Sequence, residues 1–172
     1  MFLGTPRPHK GVGDLLAAFK IIDNPDLNLA IIGADNHQEF LERIDRSIRH
    51  RVVVLPKMPF DKLPELLSAA DIIAIPQRRT SDSVGQIPAR LFDAMSMAKP
   101  IIATRVSDIP EALDGCGYLV DPDQPAQLAE AIEYILNHLD EARAKGQAAR
   151  ERCQRVYDIS NLEFGLSKLV EK

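Results

Sequence analysis

The amino-acid sequence predicts an α/β fold with a doubly wound, six-stranded parallel sheet and helices on both faces. Short aliphatic runs bounded by turn residues alternate with amphipathic stretches, which is typical of strand–helix units on a parallel sheet. These runs are apolar at nearly every position, as strands covered on both faces require. The predicted strands are residues 1–4, 29–33, 52–55, 72–75, 101–104 and 118–120.

Helices are predicted between these strands because apolar residues recur there at intervals of three or four. The predicted helical stripes are Leu15, Leu16, Phe19 and Ile22; Phe40, Ile44 and Ile48; and Leu128, Ile132 and Ile135. Residues 126–172 are nearly all helical in pattern, and we expect breaks at Gly146 and Asp158.

Length and composition fit one globular domain that spans residues 1–172, since 45% of the residues are hydrophobic and 27% are charged. The net charge of −4 argues against nucleic acid or a membrane surface as a partner, because both favour a basic face. The apolar runs are far shorter than the roughly 20 residues that span a bilayer, so no membrane segment is expected in this chain. With two cysteines and no secretory leader, we expect a cytoplasmic protein.

A glycine-bounded loop, residues 4–11, follows the first predicted strand and leads into the first helix. Doubly wound sheets bind ligands at this place, above the carboxyl ends of the strands. Arg7 and Lys10 add positive charge beside a helix N-terminus, which suits a diphosphate. The alternative is a solvated basic turn without a ligand.

A second polar segment, residues 81–100, runs from a loop through a helix towards the fifth strand. Pro88 is expected in the first turn of that helix, where the N–H groups of Ala89 and Arg90 are available to an anion. Asp93 follows about one turn later and is placed to accept hydrogen bonds from a ribose diol. The alternative for Asp93 is an ordinary first-turn acid that the helix dipole favours.

Several stretches in this order resemble the C-terminal domain of family-4 glycosyltransferases: residues 4–11, 62–76, 92–104, 106–111 and 117–123. The resemblance covers nearly the whole chain. It implies a GT-B architecture of two Rossmann-like domains, of which the second binds the nucleotide-sugar donor and the first supplies the acceptor pocket. The implied reaction is retaining, independent of metal, and serves glycan or cell-surface polysaccharide synthesis.

The family's basic pair, which binds the diphosphate, is matched in part. Lys10 falls on the family lysine, whereas Thr5 stands where the family has an arginine, so Arg7 is expected to substitute from two residues further on. The resemblance therefore implies Lys10 and Arg7 as the catalytic cations that stabilise the leaving diphosphate, together with the amides of Ala89 and Arg90.

The family's two acids, separated by seven residues, fall on Gly85 and Asp93. Gly85 has no side chain to face the donor sugar, so Asp82 is the nearest acid, and Gln86 and Arg90 are placed to compensate. The segment 56–59 lies where family members hold the base, for which uridine is preferred. The expected donor-binding residues are Gly4, Thr5, Lys10, Met58, Asp82, Gly85, Gln86, Ile87, Pro88, Ala89, Arg90 and Asp93.

The expected partners are a nucleotide sugar, preferably a UDP-sugar, and an N-terminal acceptor-binding domain that is absent from this chain. The abrupt start in an apolar strand at Met1 suggests further chain upstream. No cofactor or metal is expected. Asp121 and Asp123 look like a metal-binding pair, but they follow the sixth strand in a loop before a helix, where Asp123 and Gln124 suit turn and cap roles. The full-length protein is expected in the cytoplasm, peripheral to the inner face of the membrane. The alternative is a nucleotide-binding or regulatory α/β module without catalysis.

Overall fold

The computed structural model describes residues 1–161 and shows a Rossmann-like α/β fold of parallel strands and helices. A strand forms at each of the six predicted places. The strands are β1 (Phe2–Leu3), β2 (Leu29–Ile32), β3 (Val52–Leu55), β4 (Ile73–Ile75), β5 (Ile101–Thr104) and β6 (Tyr118–Val120). Every strand pair is parallel, as the runs of apolar residues predicted.

The prediction of one six-stranded sheet is wrong, because the strands form two three-stranded sheets, β1-β2-β3 and β4-β5-β6. The two sheets meet edge to edge. The Met1 nitrogen donates to the Ile72 carbonyl at 2.6 Å, and the Ala74 N–H donates to the Met1 carbonyl at 2.9 Å. Since β1 has two residues, the junction is too short to form a continuous ladder.

Helices cover both faces of the sheets, as predicted. They are α1 (Val12–Ile21), α2 (His37–Arg43), α3 (Leu63–Ser68), α4 (Ala89–Ser96), α5 (Ile109–Leu113), α6 (Pro125–Asn137) and α7 (Leu139–Val156). One hydrophobic cluster joins α1 and α6 to one face of the strands. A second cluster joins α3, α4, α5 and α7 to the opposite face. None of the described helices is both long and apolar enough to cross a membrane.

Two helix predictions need correction. The stripe Phe40, Ile44 and Ile48 is not one helix, because α2 ends at Arg43, and Ile44 and Ile48 reach the core from the following turns. The break expected at Gly146 lies at His138 instead. Gly146 stays inside α7 because the helix packs closely there: a Cβ at this position would lie 2.4 Å from the Ala98 carbonyl oxygen.

The break expected at Asp158 is confirmed, since α7 ends at Val156 and Tyr157 is its C-terminal cap. The predicted helical pattern of residues 162–172 lies outside the described residues.

The two sheets are also joined by a close approach between the loop after β1 and the end of β4. Gly11 has a φ of 69°, and a Cβ added there would lie 1.6 Å from the Pro76 carbonyl oxygen. Both the left-handed backbone and the missing side chain are therefore needed at this position. The result is that the first loop lies directly against the end of β4.

We predict that Gly11→Ala destabilises the fold by about 4 kcal/mol or more, because the new methyl group and the Pro76 carbonyl cannot share the same space. Gly13→Ala is the matched control: Gly13 lies in α1 with nothing within 4 Å of its Cβ position. The control should raise stability by roughly 0.5–1 kcal/mol through helix propensity. Urea unfolding followed by circular dichroism measures both, and equal midpoints for the two variants would contradict the prediction.

Candidate functional site

A cleft of about 480 Å³ lies above the carboxyl ends of β1 and β4, where the two sheets meet. Ligands of doubly wound folds bind at this position. Its polar lining comes from the loop after β1, the loop after β4 and the start of α4. The lining residues are Phe2, Leu3, Gly4, Lys10, Phe60, Ile73, Ala74, Ile75, Gln77, Pro88, Ala89, Arg90 and Asp93.

A neighbouring cavity of about 240 Å³ extends this cleft towards the carboxyl ends of β2 and β3. Thr5, Gly33 and Met58 line it. The two cavities share Leu3, Gly4, Phe60 and Arg90, so they form one groove across the top of the fold.

Lys10 reaches the cleft because residues Pro8–Lys10 form a single 3₁₀ turn that ends at Gly11. Burial lowers the pKa of Lys10, and the charge of Arg7 lowers it further. A partly desolvated ammonium interacts with an anion more strongly than a fully hydrated one. Arg7 itself is exposed and does not line the cleft. Of the two predicted cations, Lys10 therefore lies in the cleft, whereas Arg7 lies outside it.

The start of α4 forms the wall of the cleft on the side of β4. Pro88 was expected in the first turn of this helix. Its ψ of 128° is extended, so Pro88 instead immediately precedes α4. Ala89 and Arg90 are the first two helical residues, so their N–H groups have no acceptor within the helix. Both residues line the cleft, which places these donors and the positive end of the helix dipole at its edge.

Arg90 and Asp93 form an ion pair inside the groove. Arg90 Nη1 lies 2.7 Å from Asp93 Oδ2, and both side chains are partly buried. Arg90 lines both the main cleft and the neighbouring cavity, so it lies where the two meet. Among the described residues, Arg90 pairs with Oδ2 of Asp93, so the second carboxylate oxygen can accept from other donors.

The other predicted residues of the loop after β4 do not line the cleft. Asp82 is exposed and lies 3.8 Å from His9 Nδ1. Gly85 donates its N–H to Ser107 Oγ at 2.9 Å. Gln86 is exposed, and Ile87 packs against the second hydrophobic cluster. Of the predicted site residues, the main cleft brings together Gly4, Lys10, Pro88, Ala89, Arg90 and Asp93.

Sequence reasoning missed Gln77 and Phe60. Gln77 is 2% exposed and lines the cleft, and Phe60 is 77% exposed at the boundary of the two cavities. Gln77 is the first polar residue after the apolar run of β4 and Pro76, a signal that is visible in the sequence. Phe60 gave no comparable signal, because its exposure depends on how residues 56–62 cross the ends of the strands.

Arg78 connects the two loops that border the cleft. Its guanidinium binds both oxygens of the Asp14 carboxylate on α1, with Nε 2.6 Å from Oδ2. Asp123 lies 3.1 Å from the same Nε, and the Arg78 N–H donates to the His9 carbonyl at 2.9 Å. The hydrogen bonds to Asp14 raise the pKa of Arg78. This arrangement holds the loop after β4 against the loop after β1.

The acids that follow β6 are engaged in ion pairs. Asp123 contacts Arg78, and Asp121 lies 3.5 Å from Arg105 Nε. Among residues 1–161, no three His, Cys, Asp or Glu side chains lie together in an arrangement that holds a metal ion.

Together these features define a Rossmann-like α/β domain with a cleft suited to an anionic ligand at the carboxyl ends of its strands. Residues 1–138 match the family described as glycosyl transferases group 1. Because this match covers most of the sequence, the chain belongs to that family.

Two curated relatives illustrate the range of the family. An alpha-maltose-1-phosphate synthase from Mycolicibacterium smegmatis is 31% identical over 168 residues, covering 88% of this chain and 42% of the relative. A D-inositol 3-phosphate glycosyltransferase from Corynebacterium diphtheriae is 32% identical over 162 residues, covering 87% of this chain and 37% of the relative. The chain thus spans less than half the length of these relatives.

Solved structures share the fold at low sequence identity. The structure of Anabaena HepE in complex with UDP has a TM-score of 0.83 and 18% identity, and the match covers 99% of this chain and 48% of that chain. The C-terminal domain of the glycosyl transferase group 1 family protein LpcC from Francisella tularensis has a TM-score of 0.75 and 19% identity, covering 92% and 85%.

We predict that Arg78→Met destabilises the protein by roughly 1–3 kcal/mol, because it leaves the buried Asp14 carboxylate without its bidentate partner. Arg79→Met is the matched control, since the neighbouring Arg79 makes one exposed hydrogen bond, to the Arg105 carbonyl. Thermal unfolding of both variants provides the comparison. If Arg78→Met melted at the same temperature as Arg79→Met, Arg78 would not be the link between the two loops.

Proposed function

We propose that residues 1–172 form the donor-binding domain of a retaining, metal-independent glycosyltransferase of the GT-B class, which binds a nucleoside-diphosphate sugar. The observation that carries this proposal is that Lys10 and the first amides of α4 line the same cleft above the strand ends. A diphosphate matches both features, because it is an anion that accepts charge-assisted hydrogen bonds.

The leaving diphosphate would be stabilised by Lys10 and by the N–H groups of Ala89 and Arg90, which offer positive charge without a metal ion. Arg90 is a second cation in the groove, in addition to the exposed Arg7. Arg7 would either contact the phosphates once the ligand is bound or act through the electrostatic effect of its charge on Lys10. The remaining oxygen of Asp93 would accept from the ribose diol.

The base would occupy the neighbouring cavity, which Thr5, Gly33 and Met58 line. A UDP-sugar is the preferred donor. The solved structures of Anabaena HepE in complex with UDP and with UDP-glucose support this preference. Phe60 at the junction of the two cavities offers an exposed aromatic face next to the base position.

The whole protein would transfer a hexose to an acceptor hydroxyl in glycan or cell-surface polysaccharide synthesis, in the cytoplasm and at the inner face of the membrane. A separate N-terminal domain would supply the acceptor pocket. The length of the relatives supports this, since the chain matches less than half of each.

A nucleotide-binding module without catalysis is the second candidate. It is favoured by Gly85, which stands where the family has an acid facing the donor sugar, and by the exposed position of Asp82 outside the cleft. A transfer assay with and without the natural N-terminal region separates the two candidates.

We predict that Lys10→Ala weakens the binding of UDP by about 1–3 kcal/mol, the size of a charge-assisted hydrogen bond left unmade. Lys20→Ala is the control, because Lys20 lies on the same helix–loop unit but pairs with Asp45 away from the cleft. Isothermal titration calorimetry with UDP, GDP and ADP gives the affinities and the preferred base. EDTA should leave them unchanged. Equal affinities of wild type and Lys10→Ala would remove Lys10 from the site, and a strict need for Mg²⁺ or Mn²⁺ would contradict the metal-independent mechanism.

We also predict that residues 1–172 bind donor nucleotide but transfer no sugar. Transfer needs an acceptor hydroxyl held near the anomeric carbon and water kept out, and one open domain provides neither. The assay supplies labelled UDP-sugars and a mixed glycan and lipid acceptor pool to this chain and to a version extended by its natural N-terminal region. Robust turnover by this chain alone would refute the need for a second domain. Nucleotide binding without turnover in either version would favour the non-catalytic module.

A further inference from the structure

The order of charge at the start of α4 is the reverse of the order that a helix favours. Arg90 is the second residue of α4, and Asp93 follows three residues later. The first turn of α4 contains no acid. Peptide dipoles place positive partial charge at a helix N-terminus, so they favour an acid there and disfavour a cation. Residues that break such a local rule are expected at functional sites.

The first turn of α7 provides the comparison. Asp140 lies in that turn and Arg143 follows three residues later, which is the favoured order. This pair lies largely in solvent, with 3.4 Å between Arg143 Nη1 and Asp140 Oδ1. In α4, Arg90 Nη1 lies 2.7 Å from Asp93 Oδ2, and the two side chains are 37% and 25% exposed. The pair in α4 is therefore closer and more shielded from water, although its position on the helix is unfavourable.

The lining of the main cleft carries more positive than negative charge. Lys10 and Arg90 are its two cations, and Asp93 is its one acid. The N–H groups at the start of α4 add partial positive charge at the same place. An anion with at least two charges would therefore offer a counter-charge to both cations. A guanidinium suits a phosphate in particular, because its planar fork donates two parallel hydrogen bonds.

Transfer of Arg90 to a phosphate has a consequence for Asp93. The partly buried carboxylate would lose the cation that neutralises it. A buried charge without a partner is unfavourable unless other donors reach it. Inorganic pyrophosphate has no diol to offer, whereas the ribose of a nucleoside diphosphate brings two hydroxyl groups. A ligand that carries both phosphate and ribose therefore replaces both partners of the pair at once.

We propose that the Arg90 guanidinium binds a phosphate of the ligand, and that its transfer from Asp93 to the phosphate selects for ligands that also carry a ribose. The inference rests on the proposed function. In the unliganded site Asp93 holds the guanidinium, which lowers the affinity for simple phosphate anions. In the complex the guanidinium binds phosphate oxygens and Asp93 accepts from the ribose hydroxyls.

The experiment uses pyrophosphate and UDP as probes, in calorimetry on the 172-residue chain with EDTA present. Asp93→Asn keeps the size of the side chain but removes the charge that holds Arg90. Pyrophosphate should then bind about tenfold tighter, the scale of one charge-assisted interaction. The ratio of UDP affinity to pyrophosphate affinity should fall, because the ribose now meets a neutral acceptor. In the double variant Arg90→Met/Asp93→Asn the gain for pyrophosphate should disappear, because the gain requires the guanidinium.

Asp140→Asn is the charge-matched control, since it removes an equal charge from the pair in α7, outside the lining of the groove. It should leave both affinities unchanged. Arg90→Met alone should weaken UDP about tenfold, and Arg90→Lys should weaken it less, because lysine keeps the charge without the fork. These two variants test the phosphate contact even if Asp93→Asn does not fold.

Contrary outcomes overturn the inference in distinguishable ways. If wild type binds UDP but Asp93→Asn binds pyrophosphate no tighter, Asp93 does not withhold Arg90 from phosphate. An unchanged UDP affinity in Arg90→Met removes the phosphate contact. A gain for pyrophosphate that persists in the double variant, or that Asp140→Asn reproduces, assigns the effect to overall charge. Equal losses of both probes in Asp93→Asn and Arg90→Met show that the pair only maintains the shape of α4. If wild type binds no UDP, the proposed function itself fails, and the role of Arg90 fails with it.

Discussion

The close approach of Gly11 to the Pro76 carbonyl is the constraint on which the rest of the structure depends. It brings the loop after β1 against the end of β4, at the junction where only short strand edges connect the two sheets. The bidentate Arg78–Asp14 pair holds the same two loops from the outer side. These contacts hold the two loops beside the cleft, which both Lys10 and Gln77 line.

The distribution of charge explains how an acidic chain can offer an anion site. The net charge is −4, so long-range attraction of an anion is not expected. Positive charge is instead concentrated locally by Lys10, Arg90 and the N-terminus of α4, and burial of Lys10 strengthens its interactions. Several other cations are already paired with acids, Arg78 with Asp14 and Arg105 with Asp121. The cations that face the cleft are therefore the ones an anionic ligand would meet.

Arg90 and Asp93 show how one pair can serve two states of the site. In the structure they neutralise each other within the groove, which satisfies two partly buried charges. If the groove binds a nucleoside diphosphate as proposed, the diphosphate would compete for the guanidinium and the ribose would compete for the carboxylate. The pair therefore keeps both groups oriented along α4 without fixing either to a partner outside the groove. Exchange of partners of this kind costs less than leaving a single buried charge unpaired.

The sequence by itself determined the α/β class, the six strand positions, the helices on both faces and the family, because apolar runs, helical spacing and motif order are local properties of the chain. It also placed Lys10, Ala89, Arg90 and Asp93 at the strand ends. Only the tertiary structure decided which candidates share a cleft. Arg7 and Asp82 lie a few residues from cleft-lining positions, yet the geometry of their turns exposes both side chains to solvent. Gln77, in contrast, is buried at the cleft by the packing of β4 against β5. The way the two sheets meet likewise depends on hydrogen bonds between residues about 70 positions apart, which no local pattern encodes.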